Sequence, residues 1–185
     1  MIKSNTKHIT TVSMTYIALF SVLIAVCSWI SIPFTVPFTL QTFAVFCTLG
    51  LLGGKYGSLS ILVYILLGAV GVPVFSGFSG GLGYLLGSTG GYILGFIFSA
   101  LIYWLITSLL GNKSWVMILS MIVGLIICYG VGTLWFMFVY AKQNGAISIL
   151  TALGWCVFPF IIPDLVKIAL AFLMTKRLKS HIKLH

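Results

Sequence analysis

Phe158-Pro-Phe-Ile-Ile-Pro-Asp-Leu-Val-Lys-Ile-Ala-Leu-Ala-Phe-Leu-Met-Thr-Lys-Arg-Leu178 is an apolar run broken by one acid and one base before Lys176 and Arg177 end it. A bilayer-spanning helix needs about 20 mostly apolar residues, and this run has that length. Asp164 is the single acidic residue of a 185-residue chain. Lys167 follows it at i+3, which puts both on one helical face. Asp164 precedes Lys176 by twelve residues, or ~18 Å at about 1.5 Å per residue. Ionisable groups at that depth cost roughly 2.5–3.5 kcal/mol or more each, so they face a bundle interior and mark a substrate or ion path. A bare ion pair that pins helix packing is the alternative, but apolar replacement is often the better stabiliser.

The rest of the chain agrees with a membrane setting. Apolar residues make up 61% and charged residues 6%, against about 45–50% and about 25% in soluble domains. So few charges cannot cover a water-exposed surface, and such hydrophobicity excludes disorder. The chain reads as an all-α membrane protein, one domain of six transmembrane spans near 14–32, 40–52, 57–72, 89–110, 115–140 and 147–175, with basic tails at 1–13 and 176–185. Lys3 and Lys7 precede the first run as in a signal peptide, but the run is too long and no small-residue cleavage site follows it.

The net charge of +9 suggests nucleic acid only until the charges are placed. With the N-terminus inside, inner segments carry Lys3, Lys7, Lys55, Lys113, Lys176, Arg177, Lys179 and Lys183, while the outer segments carry Lys142 alone. That bias places both termini in the cytoplasm. No basic stripe with interleaved aromatics lies outside the apolar runs, so nucleic acid is not the partner; the bilayer is. The cysteines Cys27, Cys47, Cys128 and Cys156 sit singly in apolar runs without metal or redox spacing. His8, His181 and His185 lie in the tails. One carboxylate, no intramembrane histidine and no cysteine cluster leave neither a metal site nor an enzyme's nucleophile–base pair. No GxxxxGK[ST] occurs, so ATP is not hydrolysed here.

Two uncharged outer segments stand apart. In Ser31-Ile-Pro-Phe-Thr-Val-Pro-Phe-Thr-Leu-Gln-Thr42, Pro33 and Pro37 block helix, and Thr39, Gln41 and Thr42 reach the mouth of the second span. Fourteen of the 20 glycines fall between Gly50 and Gly95. Gly87xxxGly91 and Gly91xxxGly95 have helix-packing spacing. Val74–Ser88 mixes glycines with aromatics; such backbone beside a membrane is buried in protein or lines a cavity. It is either a ligand-contacting loop or a tight-packing connection. The physics gives a small solute-binding membrane protein. Its ligand is partly apolar and meets polar groups near Asp164 and Lys167, where Pro159 and Pro163 also free backbone carbonyls.

Four stretches, in order and spacing, carry a family resemblance: Val36-Pro-Phe-Thr-Leu-Gln41, Gly71-Val-Pro-Val-Phe-Ser-Gly-Phe-Ser-Gly-Gly-Leu82, Leu86-Gly-Ser-Thr-Gly-Gly-Tyr-Ile-Leu-Gly-Phe96 and Pro163-Asp-Leu-Val-Lys167. With them the whole chain resembles the BioY family, the biotin-specific substrate-binding (S) components of energy-coupling factor (ECF) transporters. The resemblance implies a six-helix subunit in a prokaryotic plasma membrane that binds biotin from outside. It implies a T component and two ATP-binding-cassette ATPases as partners, and no cofactor beyond biotin as ligand. An S component for another vitamin or heterocycle, and a non-transporting membrane scaffold or enzyme, are the competing readings. By the resemblance, Asp164 accepts from a ureido N–H and Lys167 is its charge partner or a ligand donor. Ser79, Gly80 and Gly81 hold the polar-loop position, Thr39 and Gln41 sit in the first outer motif, and Tyr92 stacks on or hydrogen-bonds the ligand, or else packs helices. Here Gly87-Ser-Thr-Gly-Gly91 stands where the family often has Gly-Pro-Thr-Gly-Gly. The family's small residues four apart on the first span become Ala18 and Val22, with Ser21 and Ala25 as a substitute pair for docking the T component.

Overall fold

The structure is a computed structural model and describes residues 10–182. Lys3, Lys7 and Lys183 of the charge pattern, with His8 and His185, lie outside the described residues. In chain order come α1 (Thr11–Trp29), a hairpin of β1 (Ser31–Ile32) and β2 (Phe38–Thr39), α2 (Gln41–Ala69), a 3-10 turn at Ser76–Phe78, α3 (Leu82–Leu85), α4 (Gly90–Leu110), α5 (Ser114–Asn144), α6 (Ile149–Cys156), α7 (Phe158–Leu178) and a 3-10 turn at Lys179–His181. Five stretches are long and apolar enough to cross a bilayer: α1, α2, α4, α5 and Phe158–His181.

α1 begins and ends three residues before the expected 14–32. Thr10 caps it, its side chain accepting from the Ser13 N–H, as a hydroxyl at that position does for the unpaired first-turn donors. The residues beyond Trp29 pair instead as a short antiparallel ribbon, Ser31 opposite Thr39 and Ile32 opposite Phe38.

α2 is not one rod. Gly53 has φ 74° and ψ 176°, a region essentially reserved for glycine. A Cβ built on Gly57 would meet the Leu49 backbone, and the Gln41 Nε2 donates to the Tyr64 hydroxyl at 3.0 Å. In a straight helix the latter pair would lie ~34 Å apart. The arms 41–52 and 54–69 therefore run antiparallel about the Gly53 reversal, which accounts for two of the expected spans. The expected span 147–175 is in fact divided: Val157, at φ −127° and ψ −57°, separates α6 from α7.

α2 lies centrally, packed by α1, α4 and α7, and α5 lies along α4. The α4–α5 contact shows what the expected glycine spacing is for. A Cβ on Gly91 would strike Trp135, one on Gly95 would meet Cys128, and one on Gly132 would enter the Tyr92 ring. Small residues let the two backbones approach. Buried hydroxyls are satisfied inside helices or across them: Ser21 Oγ lies 2.7 Å from the Ile17 carbonyl and 2.8 Å from that of Ser60, and Ser99 Oγ lies 2.6 Å from the Gly124 carbonyl. Leu19, Leu109, Ile126, Leu134, Ile162 and Val166 stand exposed, so the helices are apolar outside as well as inside, as lipid-facing helices are.

The contacts also sort the two ends of the bundle. Gly50 meets Thr175 and Gly54 meets Trp104, and Asn112, Ser114, Lys176 and Lys179 border one hollow. That end gathers Lys55, Lys113, Lys176, Arg177 and Lys179. The ribbon, the 70–89 loop and the start of α7 gather at the other end.

Candidate functional site

The site is built around the last long helix. Val157 breaks the chain direction, and Pro159, in the first turn, costs no helical hydrogen bond because those donors are unpaired anyway. Pro163 lies inside α7 and leaves the carbonyl four residues earlier, at Pro159, without its helical donor. One residue on is Asp164. Asp164 and Lys167 are 4% and 5% exposed, and the Lys167 Nζ donates to Asp164 Oδ1 at 2.7 Å. The helical spacing expected from the sequence thus forms a closed ion pair.

Other elements complete it. The Tyr129 hydroxyl, from α5, donates to Asp164 Oδ2 at 2.6 Å, so both carboxylate oxygens carry a partner. The Lys167 Nζ lies 3.9 Å from the centroid of the Phe38 ring on β2, and Phe38 stacks on Phe160 at 6.0 Å. A desolvated ammonium over an aromatic face is attracted by about 2 kcal/mol. Each carboxylate oxygen keeps a further lone pair, and Lys167 keeps further N–H donors, so the pair can still bond a ligand without separating.

This pair forms one wall of a cavity that opens at the ribbon end and holds about 660 Å³ including its mouth. Gln41, Tyr92, Phe96, Leu125 and Cys128 line its depth, and Pro37, Ser76, Tyr84 and Thr89 lie toward its mouth. Gln41 spends its Nε2 on Tyr64, which leaves its carbonyl oxygen as an acceptor. Tyr92 and Thr133 share a hydroxyl–hydroxyl bond of 3.0 Å. The 70–89 loop at the cavity is tied to α1: the Ser28 Oγ donates toward the Val74 carbonyl at 2.6 Å, the Trp29 Nε1 donates to the Pro73 carbonyl at 2.9 Å, and Trp29 stacks on Phe78 at 5.0 Å.

Of the residues expected from the sequence, Asp164, Lys167, Tyr92, Gln41 and Thr39 all line this cavity. Ser79, Gly80 and Gly81 do not. The Ser79 carbonyl accepts from the Phe75 N–H at 2.9 Å, the Gly81 N–H donates to the Gly68 carbonyl at 2.7 Å, and Gly80 packs on the Val72 carbonyl. These three shape the loop, and Ser76 is its residue at the cavity. On α1, Ala18 and Val22 face outward, whereas Ser21 and Ala25 are buried within the bundle. Two further residues stand at the ion pair: Phe38 falls within the Val36–Gln41 stretch without being singled out there, and Tyr129 carries no mark in the sequence beyond being aromatic in apolar surroundings.

Comparison with known proteins bears on the family and the fold. A profile of the BioY family matches residues 3–184. The "Biotin transporter BioY" of Thermotoga maritima is 43% identical over 163 residues, covering 88% of this chain and 92% of that protein. The "Probable biotin transporter BioY" of Pyrococcus horikoshii is 40% identical over 167 residues, covering 89% and 94%. A crystal structure described as the S-component for biotin from an ECF-type ABC transporter superposes with a TM-score of 0.80 at 27% identity, covering 93% of each chain. With a family profile matched along nearly its whole length, the chain belongs to the BioY family.

Proposed function

We propose that this chain binds biotin as the substrate-specific S component of an ECF-type importer. The observation that carries the reading is the outer cavity ending on Asp164, whose carboxylate is held by Lys167 and Tyr129. Biotin has a ureido ring with two N–H donors and a carbonyl, an apolar bicyclic body and an anionic tail. Asp164 accepts a ureido N–H, Lys167 or Tyr129 donates to the ureido oxygen, and Tyr92, Phe96 and Leu125 enclose the rings. Gln41 and Thr39 supply neutral polar groups from the ribbon side, and the Ser79-Gly80-Gly81 turn holds the loop that presents Ser76.

Counting the antiparallel arms of α2 separately gives six membrane crossings, with both termini cytoplasmic and the cavity facing outward in a prokaryotic plasma membrane. The end rich in lysine is then the inner one. The subunit is not an enzyme. A T component and two ABC ATPases supply the energy, and reorientation of the subunit in the bilayer delivers biotin inside. The outward side of α1, with Ala18 and Val22, is the docking face, since Ser21 and Ala25 are engaged within the bundle. Equilibrium binding to the purified, detergent-solubilised protein tests the reading: tight binding of biotin supports it, and tight binding of a different vitamin with none of biotin overturns it.

A further inference from the structure

The cavity is electrically balanced. Among the residues lining it, only Asp164 and Lys167 are charged, and they are bonded to one another at 2.7 Å. The remaining cations among the described residues are elsewhere. Lys55, Lys113, Lys176, Arg177 and Lys179 belong to the opposite end of the bundle, and Lys142 is exposed on the last turn of α5, 4.2 Å from the Phe138 ring.

Suppose an anionic tail were seated against Lys167. One cation would then face two carboxylates, leaving a net negative charge buried in a site where no further described residue neutralises it. Buried charge without a partner is expensive. At the mouth, Pro37, Ser76 and Tyr84 are only half-buried, so an anion there keeps its water. The tail therefore ends at the mouth and gains no ion pair from the protein.

Resting on the biotin reading, we propose that the cavity does not read the charge of the tail. Biotin capped at its carboxyl as an amide or ester is then a second class of ligand for this protein, and conjugated biotin is within its range. Recognition lies in the heterocyclic head and the alkyl chain.

The test is displacement of radiolabelled biotin from the full-length, detergent-solubilised protein by biotin, biotinamide, biotin methyl ester and N1′-methylated biotin. The amide and the ester should compete within tenfold of the free acid, and the head-methylated compound should fail. A tail held by a buried ion pair would lose on the order of thirtyfold or more on capping. Loss beyond tenfold for both capped compounds, with the acid still bound, overturns the inference and leaves the biotin reading standing. If the labelled acid itself does not bind, the biotin reading falls and takes this inference with it.

Discussion

Replacing Asp164 with asparagine keeps the side chain's shape and removes its charge. The buried Lys167 ammonium then faces a neutral oxygen at the 2.7 Å position and the Phe38 ring at 3.9 Å. Breaking a buried pair by removing one partner costs about 3–5 kcal/mol. The retained amide oxygen and the ring put Asp164→Asn near the lower end. Lys167→Met strands the carboxylate with only the Tyr129 hydroxyl, which bonds it at 2.6 Å, and belongs nearer the upper end. The double variant removes both charges together and should be more stable than either single one, since residues in direct contact couple by 0.5–3 kcal/mol or so. Denaturant unfolding of the purified protein in detergent measures the stabilities, and calorimetric titration with biotin measures binding. Binding should be lost or greatly weakened in all three variants, including the stable double one, which separates recognition from folding. If Asp164→Asn keeps the parent's stability and its affinity, the pair is neither the electrostatic keystone nor the ligand site, and the reasoning fails.

Three further outcomes are expected. Gly53→Ala should destabilise the fold by about 1–3 kcal/mol in the same unfolding assay, because a Cβ there meets no neighbour and the cost is purely that of the backbone conformation; Gly83→Ala, also in open space but without a positive φ, should change little. Gly132→Ala drives a Cβ into the Tyr92 ring and should weaken biotin binding in titration calorimetry more than Gly130→Ala, which meets open space. Lys142→Cys should react with a membrane-impermeant maleimide in intact cells and Lys113→Cys only after permeabilisation, against a quiet background, since Cys27, Cys47, Cys128 and Cys156 are all buried; the reverse pattern would invert the proposed orientation.

The long helices were legible because apolar runs of bilayer length leave few alternatives, and the expected break between the spans 40–52 and 57–72 contains the Gly53 reversal in α2. The division at Val157 was not legible in the same way. The run from 147 to 175 is almost continuously apolar, and of its two prolines the first starts α7 while the second sits inside it without ending it. Proline's position relative to a helix start decides between those outcomes, and only the three-dimensional chain shows where that start lies. The ribbon was equally obscure: Pro33 and Pro37 exclude helix but do not announce that Ser31 pairs with Thr39. At the site, Asp164 and Lys167 stood out as charges against an apolar background. Tyr129 lies 35 residues before Asp164 in a helix full of apolar and aromatic side chains, where nothing local distinguishes a hydroxyl that will meet a carboxylate from one that will not. Ser79 raises a related point. A polar residue beside paired glycines suggests a ligand contact, but the Phe75 N–H donates to the Ser79 carbonyl and closes a turn whose cavity-lining residue is Ser76.

The buried ion pair lies toward one end of the bundle, and that placement bears on how a ligand could leave. Toward the ribbon end lie the ion pair and the hydroxyls that line the cavity. Beyond its floor at Phe96 and Leu125 come Phe46, Ala100, Tyr103 and Met121, all buried, with Gly50 against Thr175 and Gly54 against Trp104 closing the helices further in. An inward path through this half would have to part backbones held together at glycine contacts, where interiors are close-packed and resist small displacements. It would also have to draw the ligand away from Asp164 past buried hydroxyls, Ser99, Thr107, Ser120 and Thr175 among them, that already bond helix carbonyls. Tilting the whole bundle breaks none of those contacts and carries the mouth of the cavity with it. In the proposed assembly the energy for such a tilt comes from partner subunits, and the exposed apolar side of α1, with Ala18 and Val22 outward, is the surface on which one of them would act.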